Sequence, residues 1–222
     1  MDTALFILSL TLNVLFVGVI ITFWLQRVRI FHRIIHQIDN QAAMAFFDAY
    51  PIGPGDVVFL GDSITAGGHW TEMFPNVPVK NRGVSGDRTA DVLRRLWQIA
   101  DGRPAKAFLL IGTNDIGLGT PRDEILRNYE AILDQLQEQT PTTCVYVQSI
   151  LPREAKLFDE VVDLNKAIAE MARTRGLTYV DLFLPFVGDD NSIQEALSYD
   201  GLHLSGQGYQ LWQLLLEPYV CP

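Results

Sequence analysis

The chain has 222 residues, 48% of them hydrophobic and 19% charged, which is enough apolar material for one sizeable globular domain and an additional segment. From Asp39 onward it carries 25 acidic residues (all but Asp2) and 14 basic residues (all but three arginines), a net charge of about −11. A surface of this sign repels nucleic acid, so nucleic-acid binding is excluded as a function.

The first predicted element is an N-terminal transmembrane helix, which we place in residues 1–26. No charged residue lies between Asp2 and Arg27, and residues 4–25 would span about 33 Å as a helix, enough to cross the hydrocarbon of a bilayer. A cleaved signal peptide is less favoured, because no basic residue precedes the apolar run and no small-residue cleavage site follows it. Arginines follow the span, so the positive-inside rule predicts a single-pass anchor with the C-terminal domain in the cytoplasm.

Residues 27–50 form the second predicted segment, a juxtamembrane amphipathic helix and linker. Ile30, Ile34 and Ile38 lie on one face of such a helix, which is typical of a helix that runs along a bilayer surface. His32 and His36 have i, i+4 spacing and could in principle share a metal ion. No carboxylate or third ligand accompanies them, so the interfacial helix is the favoured interpretation and no metal site is predicted.

Residues 51–222 form the third predicted segment, a single α/β domain. Five runs, most of them apolar on both faces, are typical of strands in a parallel sheet that is covered on both sides. These runs are residues 56–60, 77–83, 105–113, 143–150 and 177–183, and the helical segments are residues 89–100, 122–139, 156–175 and 206–219. The alternation predicts a doubly wound, three-layer α/β/α sandwich with a five-stranded parallel sheet.

The carboxyl ends of the strands are where a ligand site is expected in such a sheet, and Ser63 lies there, in the GDS directly after the first strand. A serine hydroxyl is a weak nucleophile until a histidine, oriented by a carboxylate, removes its proton. His203 follows the last strand, and Asp200 lies three residues before it, so the carboxylate can reach one ring nitrogen while the other faces the serine. His69 is a less favourable base because its tether to Ser63 is short. Taken alone, DGLH at residues 200–203 could equally be a turn built on Asp-Gly.

Acyl transfer also requires hydrogen-bond donors for the oxyanion, and three candidates lie at consecutive strand ends. They are the backbone N–H of Ser63, the backbone N–H of Gly86 in GVSGD, and the side-chain amide of Asn114 in GTND. Each has a simpler interpretation, since Gly86 could be a turn glycine and Asn114 a helix cap. Their shared position at one edge of the sheet favours the functional interpretation.

These four blocks, in the order GDS, GVSGD, GTND and DGLH, resemble the motifs of the SGNH/GDSL hydrolase family. SGDRTADVLRRL, LPR and GLHLSGQGY are most similar to the catalytic-subunit-like esterases of the platelet-activating-factor acetylhydrolase type. The resemblance covers residues 55–218 and implies a flavodoxin-like sandwich. It also implies Ser63 as nucleophile, His203 as base, Asp200 as its orienting acid, and an oxyanion hole of Ser63, Gly86 and Asn114. Isoleucine follows the serine where the family name expects leucine, a small departure.

Other enzyme classes lack their motifs in this sequence. The G-x-S-x-G elbow is missing, as are the G-x-G-x-x-G and G-x-x-x-x-G-K-[ST] loops that hold nucleotide phosphates. A receiver domain with a phosphorylatable Asp115 would need paired carboxylates for Mg²⁺, and the first strand end offers only Asp62. No cofactor is predicted.

The sequence therefore predicts a membrane-anchored serine ester hydrolase that acts on a small acyl ester or a lipid ester, with acetyl esters and lysophospholipids both open. The alternative is a membrane-tethered binding module that keeps the scaffold without turnover. Substrate-binding residues and oligomeric state stay open. Six apolar residues near strand ends could line an acyl-chain site or belong to the core: Trp70, Phe74, Leu151, Pro152, Leu182 and Phe183.

Overall fold

The computed structural model describes residues 3–221, without the side chains of residues 4–10, 14, 25, 26, 28–37 and 39. Packing divides the chain into two compact units, with the division after residue 42. The second unit contains every strand that the structure describes. It begins eight residues before the boundary at residue 51 that the sequence suggested, and that boundary stays a prediction.

The N-terminal segment is helical over Thr3–Ala49, which we call α1. Within the residues that the structure describes, no helix combines the length and apolar character needed to cross a membrane, so the transmembrane helix predicted for residues 1–26 is not found there. Part of that predicted span lies outside the described side chains, namely residues 1, 2, 4–10, 14, 25 and 26. The described side chains also exclude the predicted amphipathic face before Ile38, and His32 and His36.

The second unit is built on a five-stranded sheet in which every neighbouring pair is parallel, as predicted. The strands are β1 (Val57–Gly61), β2 (Val79–Gly83), β3 (Lys106–Leu110), β4 (Cys144–Gln148) and β5 (Thr178–Val180). Their order across the sheet is β2-β1-β3-β4-β5. This order reverses direction between β1 and β3, and ligands of doubly wound sheets bind at the carboxyl edge of that crevice.

Helices follow the strands in alternation. They are α2 (Ser63–Ala66), α3 (Trp70–Met73), α4 (Thr89–Arg94), α5 (Trp97–Gly102), α6 (Thr113–Gly117), α7 (Arg122–Gln139), α8 (Phe158–Thr174), α9 (Phe183–Phe186) and α10 (Gly206–Val220). Short 3₁₀ turns cover Ala155–Leu157 and Glu195–Leu197. The segment predicted as one helix over residues 89–100 is two helices. The chain leaves helical geometry at Arg95, whose side chain turns into the interior.

Two hydrophobic cores lie on the two faces of the sheet, because successive strand residues point in opposite directions. Val58 and Leu60 face one core, which α4, α5, α7 and α8 complete. Val57 and Phe59 face the other, where the rings of Phe59 and Trp70 stack with centroids 3.7 Å apart and α10 contributes Trp212. Helices on both faces give the three layers that the apolar strands predicted.

Candidate active site

The carboxyl ends of three neighbouring strands, β2, β1 and β3, are held close together. Gly61 at the end of β1 is in register with Gly83 of β2 and Leu110 of β3, so the loops after these strands emerge side by side. The backbone N–H of Val84 also donates to the carbonyl of Gly61 over 3.0 Å. A Cβ atom on Gly83 would overlap the backbone nitrogen of Ala66, so α2 can approach β2 this closely only because residue 83 is glycine.

Ser63 and His203 meet at this edge, although 140 residues separate them in the chain. The Ser63 Oγ lies 2.9 Å from Nε2 of His203, within hydrogen-bond distance. Ser63 is the first residue of α2, directly after β1, and His203 lies in the loop before α10. The structure thus brings together the two residues that the sequence suggested as nucleophile and base.

Asp200 orients the imidazole from the other side. Its Oδ2 lies 2.7 Å from Nδ1 of His203, and its Oδ1 accepts the backbone N–H groups of Leu202 and His203 over 3.0 and 2.7 Å. Burial acts to raise the pKa of Asp200, but the hydrogen bonds from His203 and Leu202 outweigh it and hold that pKa below its ordinary value. The carboxylate is therefore ionised at neutral pH and suited to stabilise an imidazolium.

The loop that carries this pair is held by its own contacts. The Ser198 hydroxyl donates to the carbonyl of His203 over 2.7 Å and accepts the N–H of Gly201 over 2.9 Å. Gly201 has a φ of 80°, a left-handed conformation that glycine adopts without strain. The ring of Tyr199 stacks on that of His203 with centroids 5.9 Å apart.

The three expected oxyanion donors follow three neighbouring strands, with Ser63 at the start of α2, Gly86 in the turn after β2 and Asn114 in α6. Within the described part of the chain, the backbone N–H groups of Ser63 and Gly86 donate no hydrogen bond, and Gly86 is in a left-handed turn with a φ of 78°. The Asn114 amide donates one hydrogen to the carbonyl of Asp87 over 2.9 Å, which ties it to the Gly86 loop and leaves its second hydrogen for another acceptor. This set has the hydrogen-bonding chemistry of an oxyanion hole.

Three buried aspartates lie next to these residues in the chain, a feature not identified in the sequence. Asp62 precedes Ser63, Asp87 follows Gly86 and Asp115 follows Asn114, and each is at most 1% exposed. Asp62 caps α2 by accepting the N–H of Ile64 over 3.0 Å. Burial, together with the charges of Asp87 and Asp115, raises the pKa of Asp62 from 3.8 to about 7, although the hydrogen bond from Ile64 acts to lower it. An aspartate beside each site residue is the sequence signal that could have revealed this cluster.

Arg95 is a buried cation beside this cluster, and it joins the end of β1 to the end of β2 and the loop that follows. Its Nε donates to Oδ2 of Asp87 over 2.7 Å, and its Nη2 donates to the carbonyls of Gly61 and Arg82 over 3.0 and 2.9 Å. In the sequence Arg95 resembles a surface residue of a helix that continues to residue 100. In the structure the helix is interrupted at Arg95, and its side chain lies in the interior.

The remaining residues singled out in the sequence lie away from the catalytic contacts. His69 is exposed, with Nδ1 3.4 Å from Oε1 of Glu72. The six apolar residues proposed as acyl-chain or core residues are all buried, as core residues would be: Trp70, Phe74, Leu151, Pro152, Leu182 and Phe183. Among the described residues, no group of three or more His, Cys, Asp or Glu side chains could hold a metal ion.

The comparisons with known proteins identify one family. A model of the GDSL-like Lipase/Acylhydrolase family matches residues 59–211. The platelet-activating factor acetylhydrolase IB subunit alpha1 of Bos taurus is 30% identical over 168 residues, which cover 69% of this chain and 70% of that protein. The Homo sapiens subunit gives the same identity and the same coverage.

Solved structures share the fold. A Streptococcus pneumonia structure, described as a candidate platelet activating factor, has a TM-score of 0.78 and 27% identity and covers 88% of this chain and 98% of that one. A GDSL-like lipase from Bacteroides thetaiotaomicron has a TM-score of 0.73 and 23% identity over 82% of this chain and 97% of that one. The family match spans more than half of the chain and includes Ser63, Gly86, Asn114, Asp200 and His203. The chain therefore belongs to the GDSL-like lipase/acylhydrolase family and is a carboxylic ester hydrolase.

Proposed function

We propose that the chain hydrolyses carboxylic esters through a Ser63-His203-Asp200 triad and an acyl-enzyme. The observation that carries this proposal is the continuous line of contacts from the Ser63 hydroxyl to the imidazole, 2.9 Å, and from the imidazole to the Asp200 carboxylate, 2.7 Å. His203 takes the serine proton through Nε2 as Ser63 attacks the ester carbonyl, and then gives it to the leaving alcohol. Water attacks the acyl-enzyme with His203 again as base.

The oxyanion of each tetrahedral intermediate is bound by the N–H groups of Ser63 and Gly86 and by the amide of Asn114. These donors are provided by backbone and side-chain groups that are already oriented, so little reorganisation is needed when charge develops on the carbonyl oxygen. The negative charge of Asp200 then balances the imidazolium that forms in the same step.

A fluorophosphonate probe tests the triad directly, because it reacts with an activated serine. The wild-type chain should label and the Ser63→Ala variant should not. Asp200→Asn should retain the serine but label slowly, since His203 loses its orienting carboxylate. A wild-type chain that does not label would favour the alternative of a non-catalytic binding module on the same scaffold.

We propose short acyl groups, acetyl first, as the substrates. The six apolar residues that could have formed an acyl-chain channel near the strand ends are buried in the cores. Relatives of this chain are named acetylhydrolases, and a structural neighbour is an acetyl xylan esterase. A panel of p-nitrophenyl esters of rising chain length, with Ser63→Ala as the blank, tests this preference. A kcat/KM that rises toward long chains would instead indicate a lipase or lysophospholipase.

We also propose that α1 attaches the hydrolase to a membrane, with the domain on the cytoplasmic side. Support comes from the uncharged run of residues 4–25 and from exposed apolar side chains within it, such as Phe16, Ile20 and Trp24. The test is fractionation of cells that express the whole chain. Recovery in the membrane fraction after an alkaline carbonate wash supports attachment, and protection of the domain from external protease supports the orientation. Recovery in the wash contradicts the attachment.

A further inference from the structure

A cavity lies outside the catalytic residues, lined by the last turn of α1, the segment that follows it, Arg82 of β2, and helix α5. It has a volume of about 250 Å³, and it shares no lining residue with the triad or the oxyanion donors. The residues of interest in its lining are Phe47, Asp48, Arg82, Trp97, Gln98 and Asp101. All of them belong to the second compact unit.

Two buried polar side chains line this cavity and keep an unused hydrogen-bonding atom. Arg82 is 2% exposed and Gln98 is 8% exposed. Among the described residues, Nε of Arg82 and Oε1 of Gln98 have no hydrogen-bond partner. A buried donor and a buried acceptor without partners are costly, and a ligand that accepts from one and donates to the other would remove that cost.

The charge of Arg82 has no close counter-ion in the described part of the chain. Its two terminal nitrogens donate to the carbonyls of Asn81 and Tyr50 over 2.9 and 2.5 Å, and Asp56 acts on it only at longer range. Its guanidinium lies 4.4 Å from the centre of the Phe47 ring. Burial accordingly lowers the pKa of Arg82. An anionic group in the cavity would supply the missing counter-ion.

Negative charge is found among the exposed residues that line the same cavity. Asp48 and Asp101 are exposed, and neither side-chain carboxylate forms an ion pair or a hydrogen bond with another described residue. Trp97 lies beside them and is 49% exposed, so its indole face is available to a cation. A simple anion would be repelled by the two carboxylates, and a simple cation would be repelled by Arg82.

We propose that this cavity binds a small zwitterion, with its oxyanion at Arg82 and its ammonium group at Asp48, Asp101 and the face of Trp97. A volume of about 250 Å³ corresponds to about eight water molecules at roughly 30 Å³ each, so the ligand has on the order of eight non-hydrogen atoms. Phosphoethanolamine and short amino-carboxylates have this size and charge pattern. The ligand is either a free solute or the head group of a zwitterionic phospholipid.

Calorimetric titration of the whole chain in detergent with phosphoethanolamine tests the proposal, with inorganic phosphate and ethanolamine as the single-charge controls. Phosphoethanolamine should bind at least about tenfold more tightly than either control. Asp101→Asn and Trp97→Ala change exposed or half-exposed side chains and should each weaken binding about five- to tenfold. Asp123→Asn, an exposed acid outside the cavity, should leave binding unchanged. Arg82→Gln should abolish binding. Because Arg82 is buried, its replacement can also affect folding, so Asp101→Asn and Trp97→Ala are the decisive variants.

Three results would overturn the proposal: no binding at millimolar concentration, phosphate binding as tightly as phosphoethanolamine, or Asp101→Asn binding like wild type. The source of the ligand is distinguished by repeating the titration in nanodiscs. If the head group of a lipid occupies the cavity, phosphatidylethanolamine discs should compete with the soluble probe and phosphatidylglycerol discs should not. If the ligand is a free solute, neither should compete. Hydrolysis of p-nitrophenyl acetate by Asp101→Asn should equal the wild-type rate, which separates this site from the triad.

Discussion

At the scale of single residues, Asn114 links the oxyanion site to the loop that carries Gly86. Its amide holds the carbonyl of Asp87 with one hydrogen and keeps the other available. Asn114→Ala should lower kcat for p-nitrophenyl acetate by roughly 10² to 10³, because a donor to the developing negative charge is lost. KM should change much less. A kcat within twofold of wild type, in a variant that labels normally with fluorophosphonate, would remove Asn114 from the oxyanion hole.

Asp62 makes a different prediction, which concerns stability and pH. Burial raises the pKa of its carboxyl from 3.8 to about 7. Between these pH values the unfolded chain has released this proton and the folded chain retains it, so the stability that the protonated carboxyl contributes is lost as the pH rises toward 7. Asn is as good a helix cap as Asp and does not titrate.

We therefore compare the free energies of unfolding of wild type and Asp62→Asn. Their difference, wild type minus variant, should fall by about 1.4 kcal/mol per pH unit between pH 4.5 and 6.5, and level off above pH 7. Urea denaturation of both chains at five pH values measures this difference. The other ionisable groups are common to both chains and cancel to first order. A difference that does not vary with pH would show that Asp62 is ionised in the folded chain throughout this range.

At the scale of elements, the short helix α2 is positioned by its contacts with β2. Asn81 donates from Nδ2 to the carbonyls of Thr65, Ala66 and Gly68 over 3.0 to 3.2 Å, and Gly83 lets the backbone of Ala66 approach. The hydroxyl of Tyr209 in α10 donates to the carbonyl of Ile64 over 2.8 Å. The position of the Ser63 hydroxyl thus depends on two neighbouring elements.

Gly83→Ala should displace α2, because the added methyl group would overlap backbone atoms of Ala66. Overpacking of this kind costs about 1–3 kcal/mol, and the movement of Ser63 away from His203 should lower kcat at least about tenfold. Gly55→Ala is the matched control, since a Cβ there meets nothing within 4 Å. Thermal unfolding and p-nitrophenyl acetate hydrolysis are the measurements. Equal behaviour of the two variants would contradict the packing argument.

The elements also show what sequence patterns can and cannot provide. The helix over residues 122–139 was predicted with its observed ends, and all five strands were located, because burial on two faces and helical periodicity are local signals. The last three strands end two or three residues earlier than predicted. The helix interruption at Arg95 was not predicted. Its side chain forms hydrogen bonds with Gly61, Arg82 and Asp87, which come from other parts of the chain. The triad residues could be chosen because they lie at predicted strand ends. The buried aspartates beside the site could not, because their burial depends on contacts between distant parts of the chain.

At the scale of the whole molecule, the second compact unit includes the last residues of α1. Phe47 is 7% exposed and lies under the guanidinium of Arg82, and the carbonyl of Tyr50 accepts a hydrogen bond from Arg82. The sequence pattern placed the boundary after residue 50, where the juxtamembrane segment was expected to end. Periodicity alone could not show that residues 43–50 pack on the hydrolase unit.

This difference gives a prediction about truncation. A chain that begins at residue 43 should keep the thermal midpoint of the hydrolase unit and its kcat on p-nitrophenyl acetate. A chain that begins at residue 51 loses the Phe47 ring and the Tyr50 carbonyl and leaves Arg82 with an unpaired buried nitrogen, so it should unfold with a free energy lower by about 2–4 kcal/mol. Circular dichroism melts of both chains test this. Equal midpoints would place the boundary at residue 51 after all.

The acid and the base of the site share one loop, residues 198–203, whereas the nucleophile lies 140 residues before the base in the chain. Movements of the sheet therefore alter the reach of the imidazole toward the serine without disturbing its pairing with the carboxylate. Because Ser198 closes this loop through the carbonyl of His203 and Leu202 packs against the core, a change within residues 200–203 would disturb the acid and the base together.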